Sequence, residues 1–411
     1  SPNMGSWFQN TGIFNQYNQI GSPGLEWPYK SGNFAVFSSG LSISAFISNR
    51  LAQVTASFSG EYTPGYIMND SGITNSDFKV YLVRFNDNAS TNPDYANWYK
   101  MVPYGAPYND VNNNGVFDIN LDIPGKPNAY QTTFIAMTDA FVDQRNAVEG
   151  FGGGVRDPLL LADIRWTSWT YTHPGLADAQ FIEWKIINQS TDTDRVWKRT
   201  RVALFTLPEI GDFSDEYIGC DTNLKLGYGY NGKHNDGSGF ANSYGQYPPA
   251  YGFKVLKGMV DKITNIDQSF TSFSTFMDIF GSYPPCESEP IGDPLGTYNL
   301  MSGVKKDLTP WINPLTGAPT KFIYPGDPET GTGWTEFKGS VQNCNGELTG
   351  NITNVNPPGT RYLLIGFGKD DFTISPGDTQ LLVGVQMVRA GTNHLNSVTM
   401  LKRYSEAMQK F

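Results

Sequence analysis

Residues 160–187 read LLADIRWTSWTYTHPGLADAQFIEWKII, and the fold is decided there. Leu160, Ala162, Ile164 and Trp166 recur at every second position, and so do Ile182, Trp184 and Ile186. A period of two puts such side chains on one face of a pleated strand. Between the two runs lies HPGLAD, residues 173–178, with the Pro, Gly and Asp of a turn. A second turn-rich run, NQSTDTD at 188–194, leads to a third strand with Val202 and Leu204 on one face. Strands of this length separated by such turns are the signature of an antiparallel sandwich. Trp166, Trp169 and Trp184, set among Ile and Leu, are expected in its core; the alternative is an aromatic platform for sugars.

Working outward, the same alternation appears at Leu41, Ile43, Ala45 and Ile47, and again at Val54, Ala56 and Phe58 after a hairpin turn at Asn49-Arg50. Residues 78–85 (FKVYLVRF) are apolar on both faces, which predicts an internal strand. The stretch 87–109 is too turn-rich for regular structure, and its Tyr and Trp residues are expected to cover the sheet below. Residues 132–137 form a strand, and 149–155 (EGFGGGV) a flexible connection. No Lys-Ser/Thr follows those glycines, so they are not a phosphate loop. Phe270, Phe273, Phe276 and Phe280 recur at nearly helical spacing, as a short helix on the sheet or an apolar patch for a partner.

Residues 282–360 are rich in Pro and Gly and show no helix or long strand. Strands return at 362–367 and 380–388, bridged by a tight SPGD turn at 375–378. From about Asn396 a helix is expected, with Leu395, Val398, Leu401, Tyr404, Met408 and Phe411 on the stripe that docks on a sheet. The expectation is an all-β protein: antiparallel β-sandwich or sandwiches with long loops and a short C-terminal helix. Composition divides it into an N-terminal β region (1–155), central sandwich strands (156–281) and a Pro/Gly-rich insertion with the closing strands and helix (282–411). The alternative joins the last part to the preceding one as a single continuous domain.

Composition narrows the function classes. Gly and Pro supply 44 and 26 of 411 residues, while charged residues make up only 17% and aromatics 14%. This is the balance of a loop-rich β protein. A net charge of −10 without a block of Lys or Arg excludes the basic footprint of a nucleic-acid partner. No apolar run is long enough to cross a bilayer, and the first residues carry no charged-then-apolar leader, so an exported form has already lost its signal peptide. Three cysteines are too few for a disulfide scaffold. Cys286 and Cys344 share one turn-rich region and form a possible disulfide in an oxidising compartment; the alternative is three unpaired, buried thiols.

Chemistry concentrates at 110–122, DVNNNGVFDINLD. Asp110, Asn112 and Asn114 place an oxygen at every second position, and Gly115 permits the sharp bend. The Val116 carbonyl, Asp118 and Asp122 complete six ligands of the hard, oxygen-only kind that Ca2+ takes. Asp122 falls one residue past the closing acid of an EF-hand, and no helix-forming segment flanks the loop. The reading is a calcium loop of the extracellular, non-EF-hand kind; the alternative is an Asn/Asp/Gly turn without an ion. Glu209, Asp212, Asp215 and Asp221 form a possible second metal site, or hold strand ends through hydrogen bonds. His173, His234 and His394 stand at no metal-ligand spacing, and no GxSxG occurs. The remaining catalytic option is a carboxylate pair for glycoside hydrolysis, drawn from Glu183, Glu209, Asp212 and Asp215.

Several blocks together carry a resemblance. PYNDVNNNGVFD followed by DIPGKP, EWKIINQS, DEYIGCDTNLKLGYGYNG, TPWINPLTGAPTKFIYPGDPETGTGW and FTISPGDTQLLVGVQMVRAGTNHLNSVTMLKRY resemble large secreted proteins of bacteria that use type IX (Por-type) secretion. That resemblance implies export, an all-β body and calcium, and no established activity. Members typically carry a short Ig-like sorting domain after a helix like this one, so the chain resembles a processed form. The functional expectation is a non-enzymatic, calcium-stabilised protein of the cell exterior, building a filament, sheath or surface layer. Low charge, a surface rich in aromatics and Asn, Gln, Ser and Thr, and an N-terminal arm able to join a neighbour's sheet edge motivate it. The alternative is a carbohydrate-binding or polysaccharide-processing surface protein. Partners are thus other copies, other cell-surface proteins or glycans.

Overall fold

The computed structural model describes residues 2–146, 151–237, 243–277, 284–338, 344 and 357–409. In chain order its longer strands are β1 (Phe34–Ile47), β2 (Arg50–Val54), β3 (Tyr81–Arg84), β4 (Gln131–Thr138), β5 (Ala162–Thr170), β6 (Ala179–Asn188) and β7 (Lys198–Pro208). They continue with β8 (Glu216–Asp221), β9 (Leu226–Asn231), β10 (Ala250–Lys257), β11 (Ser272–Phe276), β12 (Tyr362–Phe367) and β13 (Thr379–Arg389). Two helices pack on them, α1 (Pro294–Met301) and α2 (His394–Met408).

These strands form two antiparallel sheets. The first has eight strands in the order Gly5–Ser6, Leu25–Glu26, β1, β7, β12, β11, with Ile13–Phe14 and β2 also paired to β1. The second has nine, in the order β3, β4, β5, β6, β13, β10, β9, β8, with Thr63–Pro64 paired to β4. Both draw strands from all three stretches, 1–155, 156–281 and 282–411, so those compositional divisions fall inside one sandwich.

Period-two alternation fills the space between the sheets. Leu41, Ile43, Val202, Leu204 and Ile365 of the first sheet meet Ile164, Trp166, Ile182, Trp184 and Leu382 of the second, each at most 1% exposed. Burying side chains of this size stabilises the fold by roughly 1.5–3 kcal/mol apiece. Trp166 and Trp184 are direct cross-strand partners with stacked rings 6.1 Å apart, so both belong to the core. Gly384, opposite Ile182, leaves the room that the Phe253 ring occupies; a Cβ there would lie 2.2 Å from that ring.

The outer faces are covered as well. On the first sheet, Leu300 and Met301 of α1 pack with Phe205, Leu364 and Phe276. On the second, Val398, Leu401, Tyr404 and Met408 of α2 pack with Leu226, Val385 and Met387. Asn393 caps α2, its side chain accepting from the N–H groups of Leu395 and Asn396. Phe411, the last residue of the expected stripe, lies outside the described residues. Among the described residues no helix is long and apolar enough to cross a membrane.

Several expectations are corrected. The β1–β2 turn is centred on Ser48 and Asn49, at φ 49° and 64°, one residue earlier than read from sequence; two left-handed residues suit the twist of a two-residue hairpin. The 78–85 run gives β3, an edge strand rather than an internal one. It is apolar on both faces because Tyr81 and Val83 are covered by Trp98, Met101 and Ala106 from the turn-rich stretch that follows. Phe273 and Phe276 lie on β11, facing the core and the outer face respectively, so the 270s form a strand and not a helix. Phe280 lies outside the described residues. Residues 282–360 do contain a helix, α1, started by Asp293 as N-cap with Pro294 behind it. β12 and β13 lie in different sheets, so the SPGD turn leads from one sheet to the other and does not close a hairpin.

Candidate functional site

The 110–122 loop is the tip of a small hairpin in which Tyr108–Asn109 pairs with Ile123–Pro124. Gly115 takes φ 77° and Asn113 φ 57°, the left-handed bends that curl the tip. The Asp110 carboxylate accepts the N–H groups of Asn114 at 3.2 Å and Gly115 at 2.7 Å. Asp122, 3% exposed, accepts those of Val111 at 2.9 Å and Asp118 at 2.7 Å, which ties the neck. Asp118 Oδ2 receives the side-chain amides of Asn112 and Asn114, both at 2.8 Å. The N–H of Val116 donates to Asn114 Oδ1 at 2.8 Å.

All six residues expected to ligate are thus in one tip, and the donor set is oxygen-only. Among the described residues, no Lys, Arg or His nitrogen lies within 4.0 Å of the Asp110, Asp118 or Asp122 carboxylates. Uncompensated carboxylates on a curled backbone fit a calcium-type cation. Closing around one requires the Asn112 and Asn114 amides to turn oxygen inward, because Asp118 now faces their nitrogens. It also requires the carboxylates to draw together. Among the described residues, only Cys286, Asp307 and Cys344 gather three acidic or sulfur donors within 4.8 Å, and there the two sulfurs are bonded to each other.

The second acidic set is divided. Asp212 and Asp215 sit together at the start of β8, where Asn231 Nδ2 bridges Asp215 Oδ1 at 2.8 Å and Asp236 Oδ1 at 3.2 Å. Burial, with the Asp236 and Asp212 charges, pushes the Asp215 carboxyl up to about 7. Its basic neighbour, Lys233, stands 3.8 Å away. Asp221 lies at the far end of β8, capping the N–H groups of Asn223 and Leu224 and pairing with Lys402 at 3.5 Å. Glu209 lines a groove beside Trp7, where burial pushes its carboxyl up to about 8. Glu183 pairs with Lys126 at 3.1 Å. Of the carboxylates considered for glycoside hydrolysis, Asp212 and Asp215 are brought together, while Glu183 is held elsewhere by Lys126. Asn231 and Asp236 were missed in sequence because they come from the opposite side of a hairpin.

Cys286 and Cys344 form a disulfide that joins positions 58 residues apart. Cys220 is free and buried. The rings of His234 and His394 approach to 6.1 Å, and burial followed by the His234 charge lowers His394 to about 4. His173 instead caps its own turn, Nδ1 accepting from the N–H of Gly175 at 3.1 Å.

A larger cleft lies elsewhere. Toward the β3 side, the inward positions of the nine-stranded sheet change from Ile and Trp to Gln131, Thr133, Thr170 and Gln180. The N-terminal arm, with Trp7 and Phe8, forms the opposite wall of a cleft of about 600 Å3. It shares Arg84 and Tyr130 with a cleft of about 360 Å3 at the base of the 110–122 hairpin. It shares Trp7 and Phe34 with one of about 380 Å3 that holds Glu209. The three make one furrow along the mouth of the sandwich. Each of the three clefts is in the volume range of small-molecule sites. Nothing local in the sequence marks it, since inward Gln and Thr read like solvent-facing positions of any strand.

No protein-family model matches the chain, and no curated protein matches it.

Proposed function

We propose that the protein is a non-enzymatic, calcium-stabilised component of the cell exterior that associates with copies of itself or with other surface proteins. The observation that carries this reading is the 110–122 tip. Three carboxylates there lack a basic partner, and around them Val111, Val116, Ile119, Leu121 and Ile123 are 46–63% exposed. Aliphatic side chains gathered on one projecting loop form the kind of patch that marks a protein contact. A bound cation would fix the loop that presents them. The disulfide supports an oxidising compartment. The resemblance to type IX-secreted proteins supports the same location.

The N-terminal arm is paired within its own sheet through Gly5–Ser6 and Ile13–Phe14, whereas the hairpin tip projects its aliphatic side chains. Association is therefore assigned to the hairpin tip. Light scattering on the purified protein is expected to show mass rising with concentration in millimolar calcium and staying monomeric in chelator. Val116→Asp with Ile119→Asp should remove the rise. A monomer at high concentration in calcium contradicts this reading.

The furrow favours a second reading, a surface protein that captures carbohydrate. It is a formed cleft with exposed aromatic residues and hydrogen-bonding side chains, which the first reading does not use.

A further inference from the structure

We propose that the furrow binds an extended, neutral oligosaccharide; this rests on the second reading above and names its ligand class and contacts. The first argument is the unspent hydrogen-bonding capacity of the floor. Gln180, 5% exposed, accepts from Gln386 Nε2 through its Oε1, and its own Nε2 donates to no protein atom among the described residues. Gln386 is in turn held by Asn15, whose Nδ2 donates to Gln386 Oε1 at 2.9 Å and to Ser39 Oγ at 3.0 Å. Gln180 is thus fixed from behind with a donor left for the cleft. Thr133 and Thr170, 4% and 5% exposed, also line the cleft, and among the described residues their hydroxyls make no protein hydrogen bond. Gln131 pairs directly with Thr170 in the sheet, so the two polar groups lie side by side. A nearly buried amide N–H and two hydroxyls with hydrogen-bonding capacity to spare match a ligand covered in hydroxyls.

The walls supply the other half of sugar recognition. Trp7 and Tyr29 are 52% and 50% exposed at the rim, giving flat apolar faces of the kind that pack on the C–H face of a pyranose. Trp7 is steadied by Tyr17, its ring 4.5 Å away. It stands where two clefts meet, so sugars on either side of it contact one aromatic ridge. Such a continuous furrow suits a chain of several sugars better than a single one. Charge also selects. Lys126 at one end is already paired with Glu183 at 3.1 Å, and Arg84 shares the middle cleft with Glu26, which leaves no basic track for a polyanionic glycan.

A peptide strand is disfavoured by the state of the nearby sheet edge. β3 would have to offer free backbone groups, but its Leu82 and Arg84 N–H groups donate to Asp94 at 3.0 Å and Asp87 at 2.7 Å. The Leu82 carbonyl accepts from Asn92 at 2.9 Å. Side chains have closed that edge, as natural sheets do to prevent strand addition.

Calorimetry and affinity electrophoresis of the intact protein against cellohexaose, xylohexaose, mannohexaose, laminarihexaose and maltohexaose test the proposal. At least one should bind at micromolar to submillimolar concentration. Trp7→Ala should weaken it at least tenfold, Gln131→Ala severalfold, and Trp7→Phe should recover part of the loss, with melting temperatures unchanged. Trp7-dependent binding of alginate or polygalacturonate alone would overturn the neutral class while leaving carbohydrate capture standing. No binding to any of these at millimolar concentration, or binding indifferent to Trp7→Ala, would overturn both.

Discussion

Replacing Trp184 by alanine is expected to cost about 3–5 kcal/mol of folding stability, near the upper end for any single change in this chain. The indole lies at the centre of the sandwich. Its ring is 6.1 Å from Trp166, 6.1 Å from Phe14 and 6.2 Å from Phe253, so three elements lose contacts at once. Phe14 comes from the N-terminal arm, and its loss of support should loosen the arm that walls the furrow. Trp169 is the control. It lies on the opposite face of β5, half-buried, with Lys126 Nζ 4.6 Å above its ring. Trp169→Ala should cost distinctly less. Urea midpoints of the two variants measure the difference, and equal shifts would contradict the assignment of Trp184 to the centre.

Opening the Cys286–Cys344 bridge is the other large effect. Loop-closure entropy for a 58-residue separation gives about 4 kcal/mol. The bridged stretch contains α1, which covers the outer face of the first sheet through Leu300 and Met301. Cys286→Ser should therefore lower the urea midpoint and raise hydrogen exchange first in α1 and β11, before the β5–β6 pair. Reduction of the wild type should reproduce the shift, and Cys344→Ser should match it. A Cys286→Ser variant as stable as the wild type would show that the surrounding contacts alone hold the stretch.

Where alternation was strong, the sequence was a good guide. Leu41 to Ile47, Ile164 with Trp166, and Ile182 to Ile186 announced their faces because a half-buried strand imposes period two on its own side chains. The stripe Val398, Leu401, Tyr404 and Met408 announced α2 by the same logic at helical spacing. What escaped depends on partners far along the chain. β3 looked internal because local turns cover its outer face, a fact no window of eight residues contains. Phe273 and Phe276 mimicked helical spacing while serving two faces of one strand. α1 did carry a signal, Asp293 before Pro294, but it stood in a Pro/Gly-rich stretch that reads as loop.

Candidate sites follow the same division. The 110–122 tip was legible because its oxygens come from consecutive residues. The furrow was not, because its walls come from residue 7 and its floor from residues 131 and 180, and only the pairing of the sheets brings them together. Asp215 likewise depends on Asn231 and Asp236, which reach it across a hairpin.

The proposed calcium binding of the 110–122 tip is tested by the thermal melt of wild type and Asp110→Ala in chelator and in about 5 mM calcium. Extracellular sites bind at roughly 0.1–1 mM, so the wild type should gain about 1–2 kcal/mol, a rise of a few degrees, with calcium, and Asp110→Ala should show none. A wild-type melt that is the same in calcium and in chelator would contradict the account and leave the tip a hydrogen-bonded turn.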